Sequence, residues 1–255
     1  MKSRRIFALL ALFTVSLLGL SAPCHGQDTA KTYNTGFYSN TFNEAIKDPV
    51  ASWYTFTAKN RVTTGTTRTA GFHPEPLIDK KWQASDKDYT TANRPFAKDK
   101  TKTWDRGHFT PDVAMRYNQK AEFSTMTFGN TAPQNSKMNE TTWRFIEVEA
   151  FDFGLVYDSV KVLTGGIYRK PYHWLLPSDG VAIPDYYYKV IVIYSHGQIW
   201  NTEAWLCPNV NPKSQTPEDY VISIDSLSAE VGHDVCPWLP GEYKTEAHIL
   251  KVPKK

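Results

Sequence analysis

Between Glu140 and Phe153 the chain reads T-T-W-R-F-I-E-V-E-A-F-D-F (residues 141–153). Trp143, Ile146, Ala150 and Phe153 recur there at helical spacing, while Arg144, Glu147 and Asp152 fall elsewhere on the wheel, so the stretch predicts an amphipathic helix. Beyond it, Ser159 to Thr164 and Tyr186 to Tyr194 are β-branched and aromatic runs. The second, Y-Y-Y-K-V-I-V-I-Y, is bounded by Pro184 and Gly197, and both read as strands of one sheet. Before the helix, Ser52 to Thr57 alternates like a strand, and a Thr-rich second strand is expected just after it. Ser226 to Val231 reads as a short helix leading to Cys236, and Gln27 to about Asn40 as a loose polar segment. His73 to Lys102 holds Pro74, Pro76 and Pro95 and reads as a long surface connection. Strands, then a helix, then strands again predict an α+β domain on a central, mainly antiparallel sheet.

The 255 residues are 41% hydrophobic and 22% charged, enough apolar material for a core and too much for compositional disorder. No heptad run, triplet period or repeat is visible, which excludes coiled-coil, collagen-like and solenoid architectures. Lys2, Arg4 and Arg5 precede an apolar run from Ile6 to Leu20 and a small-residue stretch to Gly26, the layout of a secretory signal peptide, with an uncleaved anchor as the competing reading. The expected organisation is a signal at 1–26, a polar segment at 27–50, the main domain at 51–240 and a tail at 241–255, in an exported protein, secreted or periplasmic. Cleavage would remove three basic residues and leave 29 − 3 = 26 basic against 26 acidic ones, so the formal +3 resides in the leader. Overall charge therefore says nothing of a nucleic-acid partner, and a phosphate-binding field has to come from a local patch.

The same cut removes Cys24 and leaves Cys207 and Cys236, an even pair that in an exported chain favours a disulfide, with two buried free thiols as the alternative. Lipidation at Cys24 is a third possibility, opposed by Pro23 before it.

The densest cluster of reactive side chains lies between Trp104 and Glu147: D-R-G-H at 105–108, then Asn130, Gln134, Asn139, Trp143, Arg144 and Glu147. An imidazole can take a proton from water near neutral pH, an arginine can grip a phosphate by two hydrogen bonds, and oxygen ligands suit Mg²⁺. Those are the parts of a phosphodiester hydrolase.

D-R-G-H, followed by T-F-G-N-T-A-P-Q (127–134) and N-E-T-T-W-R-F-I-E (139–147), resembles the DNA/RNA non-specific endonuclease family with its ββα-metal site. The likeness includes the nine-residue step from Asn130 to Asn139 and the eight-residue step from Asn139 to Glu147. It continues through V-L-T-G-G and I-P-D-Y-Y-Y-K-V-I-V and covers about Ser52 to Leu239. The resemblance implies a sheet flanked by helices, with the D-R-G-H hairpin and the Asn139 helix gripping a metal between them. It implies His108 as general base, Asn139 as the direct protein ligand to Mg²⁺, for which Mn²⁺ can substitute, and Glu147 as the anchor of metal-bound waters. Arg106 would brace the phosphate or the metal-site loop, Asp105 would orient that loop, and Asn130 would align with a polar residue that positions the site. Arg68 and Arg144 join Arg106 as candidate phosphate contacts. DNA and RNA are the implied substrates, read through the backbone without sequence preference. One departure stands out: where several members carry an arginine one turn beyond the glutamate, this chain has Phe151.

Other readings remain open at this level. A non-catalytic nucleic-acid-binding protein on the same fold is opposed by the joint presence of His108, Asn139 and Glu147, and a glycan-binding surface protein would make the motif agreement coincidental. His73, His173, His196, His233 and His248 read as structural or exposed, and neither they nor the two cysteines have zinc-ligand spacing. Tyr186 to Tyr188, Trp200, Trp205 and Trp238 read as core packing ahead of base-stacking surfaces. A homodimer is neither implied nor excluded.

Overall fold

A computed structural model describes residues 30–57, 60 and 66–252. The leader, Cys24 and most of the expected Thr-rich strand lie outside the described residues. The main sheet contains β1 (Ala30–Asn34), β2 (Ser39–Asn43) and β3 (Asp48–Thr57). Between these strands and the rest of the sheet come α1 (Asp86–Asn93), β4 (Trp104–His108), α2 (Asp112–Met115), α3 (Gln119–Thr125) and β5 (Thr131–Asn135). A helix then runs without a break from Ser136 to Val156, as α4 (Ser136–Met138), a π-helical turn (Asn139–Trp143) and α5 (Arg144–Val156). After it come β6 (Ser159–Ile167), β7 (His173–Trp174), β8 (Ala182–Ile183), β9 (Tyr186–Ser195), β10 (Gln198–Pro208) and α6 (Ile224–Val231).

Six strands form one sheet in the order β1-β2-β3-β6-β9-β10, every neighbouring pair antiparallel. The run Y-Y-Y-K-V-I-V-I-Y shows no polar alternation because its strand is covered on both faces. Tyr187, Ile191 and Ile193 point into the core under α5 with Trp143, Ile146, Ala150 and Phe153, while Tyr188, Val190 and Val192 pack on the other side against Ile224, Leu227 and Val231 of α6. The four residues at helical spacing in α5 are all buried. Gly154 lets that helix lie close to the sheet, since a Cβ there would stand 2.2 Å from the Phe56 ring.

Three expectations are corrected. The segment expected to be loose, Gln27 to about Asn40, is ordered from Ala30 onward, because β1 and β2 form the edge hairpin of the main sheet. The hairpin turns at Gly36, which holds φ +90. It is anchored by Tyr33 and Asn40, which both donate to Gly129 O, and by Tyr38, which donates to Ser124 O. Those partners are far downstream, so local composition carries no sign of them. The stretch 73–102 contains α1, which begins after Ser85, whose N–H donates to Asp88 Oδ2 at 2.8 Å. The S-x-x-D spacing from Ser85 to Asp88 is the helix-start signal that the prolines around it obscure. Cys207 and Cys236 are both free and buried. Cys207 belongs to the core under α5 and Cys236 to the core under α6, so the sheet itself separates the sulfurs.

Protein beginning after Gly26 should accordingly titrate two free thiols when denatured without reductant, and its melting temperature should not respond to reductant. A single absorbance assay with a thiol reagent checks this, and zero titratable thiols would restore the bridge.

Candidate active site

β4 and β5 pair as a short hairpin, with His108 opposite Thr131, Gly107 opposite Ala132 and Asp105 opposite Gln134. Gly107 is required by the close approach of the two strands, because a Cβ there would lie 2.3 Å from Gln134 Oε1. β5 passes directly into the long helix through Asn135, whose Oδ1 accepts from Lys137 N and Met138 N and caps its start. Asn209, just past β10, holds this unit to the main sheet: its Oδ1 accepts from Asn135 N and its Nδ2 donates to Pro133 O.

Asp105 joins strand to helix. Its Oδ1 accepts from Ser136 Oγ at 2.7 Å and its Oδ2 from Asn139 Nδ2 at 2.9 Å. The Asn139 amide is thereby turned so that its Oδ1 is left for another partner. Asp105 therefore orients Asn139, where the sequence reading has it orienting the metal-site loop, and stands behind the site rather than in it.

A cleft of about 710 Å³ opens between the hairpin and the helix, lined by Arg68, His108, Asp112, Arg116, Asn139, Arg144 and Glu147 among others. His108 and Asn139 approach from opposite walls, and Glu147 projects from α5, two turns beyond Asn139. His108 Nε2 is buried without a partner among the described residues, and the ring leans on Phe72 at 5.3 Å. Burial lowers its pKa to about 4, the nearby Arg68 charge adding to the effect and Asp112 opposing it, so the imidazole is neutral at physiological pH. Glu147 Oε1 is likewise sealed from solvent without a partner. Burial pushes this carboxyl up, Lys189 pulls it back down and Asp112 pushes it further up.

Arg68 and Arg144 both reach the cleft, Arg68 lying 3.7 Å from Asp112 Oδ2. Arg106 does not. Its guanidinium pairs with Asp86 and lies 4.9 Å from the Tyr89 ring centre and 5.6 Å from that of Phe72, so of its two expected roles, at the phosphate or at the metal-site loop, the contacts are those of a brace between β4 and α1. Asn130 lies outside the cleft: it is fully buried, its Oδ1 accepts from Thr110 N, and its Nδ2 donates to Thr110 O and Thr125 O. It fixes the segment following His108 and touches nothing in the cleft. Phe151 packs edge-on against Phe56 at 5.0 Å on the core side of α5, so this position faces away from the cleft altogether.

Three residues of the site escape the sequence reading. Asp112 accepts from Arg116 Nε at 3.0 Å and holds Arg116 and Arg68 at one wall. The signal available for that pair is its i,i+4 spacing directly after the D-R-G-H motif. Lys189 acts on Glu147 from beneath the helix, and a lysine within the apolar run of β9 is the anomaly that could have marked it.

Among the described residues no group of three or more His, Cys, Asp or Glu side chains could hold a metal ion. The oxygens that fit a hard cation here are Asn139 Oδ1, freed by the Asp105 contact, and the orphaned Glu147 Oε1. Such a site leaves most of the coordination shell to water, as Mg²⁺ prefers.

The sequence profile described as DNA/RNA non-specific endonuclease matches residues 20–242. Endonuclease G, mitochondrial, of Bos taurus is 24% identical over 178 residues, 66% of this chain and 56% of that protein. Nuclease EXOG, mitochondrial, of Xenopus laevis is 27% identical over 175 residues, 63% of this chain and 46% of that protein. Nuclease of Serratia marcescens is 24% identical over 80% of this chain and 75% of its own length. The chain spans about half the length of the mitochondrial relatives. A chain of the crystal structure of the EndoG/EndoGI complex superposes with a TM-score of 0.71 at 20% identity, covering 84% of this chain and 89% of that one, and shares the fold.

Stability should register the neutral imidazole. Between pH 6.5 and about 4 the unfolded chain protonates His108 and the folded chain does not, so this group lowers stability as pH falls through that window. Glu147, raised in the folded state, acts in the opposite sense and masks the effect in the intact protein. Replacing His108 removes one side of the balance. The melting temperature of His108→Asn relative to the unsubstituted protein should therefore climb steadily from pH 6.5 to pH 4, by at most about 3 kcal/mol of stability. A difference that stays constant with pH would show that the imidazole is protonated in the fold.

Proposed function

This chain belongs to the DNA/RNA non-specific endonuclease family, and from that premise we propose that it is an exported, Mg²⁺-dependent endonuclease that hydrolyses phosphodiester bonds of both DNA and RNA. The observation that carries the reading is the convergence of His108, Asn139 and Glu147, from a hairpin and a helix, on one cleft.

Each residue has a part that its surroundings suit. His108, kept neutral by burial, takes the proton from an attacking water, a role worth roughly 10² to 10⁴ in rate for such a group. Asn139, its amide turned by Asp105, would hold the ion through Oδ1, and Glu147 would anchor the ion's waters. When bound, Mg²⁺, or Mn²⁺ in its place, supplies positive charge to the phosphate and the leaving oxygen. Arg68 and Arg144 stand where they can receive the phosphate, and Arg116, paired with Asp112 beside Arg68, adds a third guanidinium to the cleft lining. These groups address the backbone and carry no base information, which suits a nuclease indifferent to sequence and to sugar. Phe151 faces away from the cleft, so charge stabilisation falls to Arg68 and Arg144.

Export rests on the leader: Lys2, Arg4 and Arg5 ahead of the uncharged, mostly apolar run from Ile6 to Leu20. A mitochondrial targeting segment would instead be amphipathic and rich in arginine and serine. The mitochondrial location belongs to the Endonuclease G and EXOG relatives and is not carried over to this chain.

Supercoiled plasmid and structured RNA should both be cut by the purified protein in the presence of Mg²⁺ and left intact with EDTA. His108→Ala should lose roughly 10² to 10⁴ of the rate while remaining folded, whereas Asn139→Ala should raise the Mg²⁺ concentration needed for cleavage. Undiminished cutting by His108→Ala would remove the imidazole from the chemistry. No cutting by the folded, Mg²⁺-supplied protein would turn the reading to a nucleic-acid-binding module.

A further inference from the structure

Arg116 takes no part in the chemical step as described, yet it stands in the wall of the cleft with its guanidinium fixed in place. Its Nε donates to Asp112 Oδ2 at 3.0 Å and its Nη2 donates to the same oxygen, an i,i+4 pair across the single turn of α2. Arg68, from the segment ahead of α1, brings its Nε to 3.7 Å from that oxygen as well. This trio is anchored relative to His108. Asp112 follows His108 by four positions, and the stretch between them is pinned: Phe109 N donates to Asn130 O, and Asn130 holds both the N–H and the C=O of Thr110. Thr110 Oγ1 also shares a hydrogen bond of 2.6 Å with Ser52 Oγ, on β3 of the main sheet.

As a device for stability the arrangement is poor. An i,i+4 ion pair supports a helix only weakly, and α2 is four residues long. A second guanidinium from a different segment does nothing for that helix. Two guanidinium groups against one carboxylate leave this wall with one net positive charge. The arginine side chains remain open to a ligand, 54% exposed for Arg68 and 34% for Arg116, whereas Asp112 is 13% exposed. A phosphodiester carries the single negative charge that balances the group, and its oxygens match the planar fork of an arginine. The scissile phosphate has a place elsewhere in the cleft, between His108 and an ion at Asn139, where Arg144 reaches in from α5. At about 710 Å³ the cleft is more than twice the size of the smallest ligand pockets, roughly 300 Å³, and leaves room beyond the nucleotide being cut.

We propose that Arg116, set by Asp112 beside Arg68, forms a second phosphate subsite of the nuclease cleft, which takes the phosphodiester adjacent to the one being cut and makes the enzyme prefer a continuous strand to an isolated diester. This deepens the nuclease reading and rests on it. Asp112 restricts the rotamers of Arg116 before the strand arrives, so less freedom is lost on binding. The strand is gripped without any contact to a base.

The test uses oligothymidylates of increasing length, from the dinucleotide with one phosphodiester upward. Binding to the purified protein is followed by fluorescence anisotropy in EDTA, and cleavage in Mg²⁺ by chromatography of the products. For the unsubstituted protein, going from one phosphodiester to two should raise kcat/KM roughly tenfold to a hundredfold, chiefly through KM. Arg116→Gln keeps a donor for Asp112 but no charge, and in it most of that gain should vanish. Its slope of log affinity against log salt, for a strand of about eight nucleotides, should be shallower by about 0.7. Arg116→Lys should recover part of both, and Arg116→Ala repeats the comparison if glutamine is not tolerated. A gain from the second phosphodiester in folded Arg116→Gln equal to that of the unsubstituted protein, or an unchanged salt slope, would overturn the subsite. No cutting in Mg²⁺, with the Arg116-dependent gain in binding intact, would instead overturn the nuclease reading and leave the subsite standing.

Discussion

The carboxylate of Asp105, shared between Ser136 Oγ and Asn139 Nδ2, fixes the angle between the hairpin and the helix that follows it. Hydrogen bonds to an ionised acceptor are stronger and more directional than neutral ones, so a few residues are enough to set the geometry. With that contact made, the only free polar atom of the Asn139 side chain is an oxygen, and His108 is held on the opposite wall by the strand that carries Asp105. Gly107 allows the two strands to close and Asn135 caps the helix, while Asn209 pins the unit to the six-stranded sheet. Each contact spans a boundary between elements, and the site depends on all of them.

The π turn at Asn139–Trp143 adds a second geometric constraint. Eight residues of uniform α-helix would leave Glu147 about 80° around the axis from Asn139. The wider π turn takes up part of that rotation, and both side chains line the same cleft. It also brings Trp143 into the core, where its ring meets Tyr187 at 5.5 Å and Lys189 from below. The electrostatics follow from this packing. Burial holds the imidazole neutral and raises the Glu147 carboxyl, and Lys189, which opposes the rise in Glu147, comes from a strand beneath the helix.

Much of the fold was legible because the periodicities were strong. Trp143, Ile146, Ala150 and Phe153 mark a helix face, and the apolar runs at 159–164 and 186–194 mark central strands, since hydrophobic burial leaves a repeating trace along the chain. The edge hairpin was not legible. β1 and β2 contain Lys, Thr, Asn and Ser, and they are ordered by hydrogen bonds to Ser124 and Gly129, about ninety residues away. The helix α1 was hidden because prolines flank it and its capping pair is short-range and inconspicuous.

The sequence by itself determined which reactive groups exist and their order: the imidazole of His108, the amide of Asn139 and the carboxylate of Glu147 at spacings that a hairpin and a helix can bring together. Tertiary structure decided which neighbours take part. Arg106 stands two residues from His108 yet is drawn to Asp86 and Tyr89, and Asn130 spends all three of its hydrogen bonds on the backbone. Cys207 and Cys236 suggested a bridge by number, and the sheet between them separates the sulfurs. Lys189 lies 42 positions along the chain from Glu147, and only the stacking of helix on sheet makes them electrostatic partners. The physical reason is common to all of these: hydrogen bonds and Coulomb forces act over a few ångströms of space, and sequence spacing reports such distances only within one turn, one hairpin or one helix.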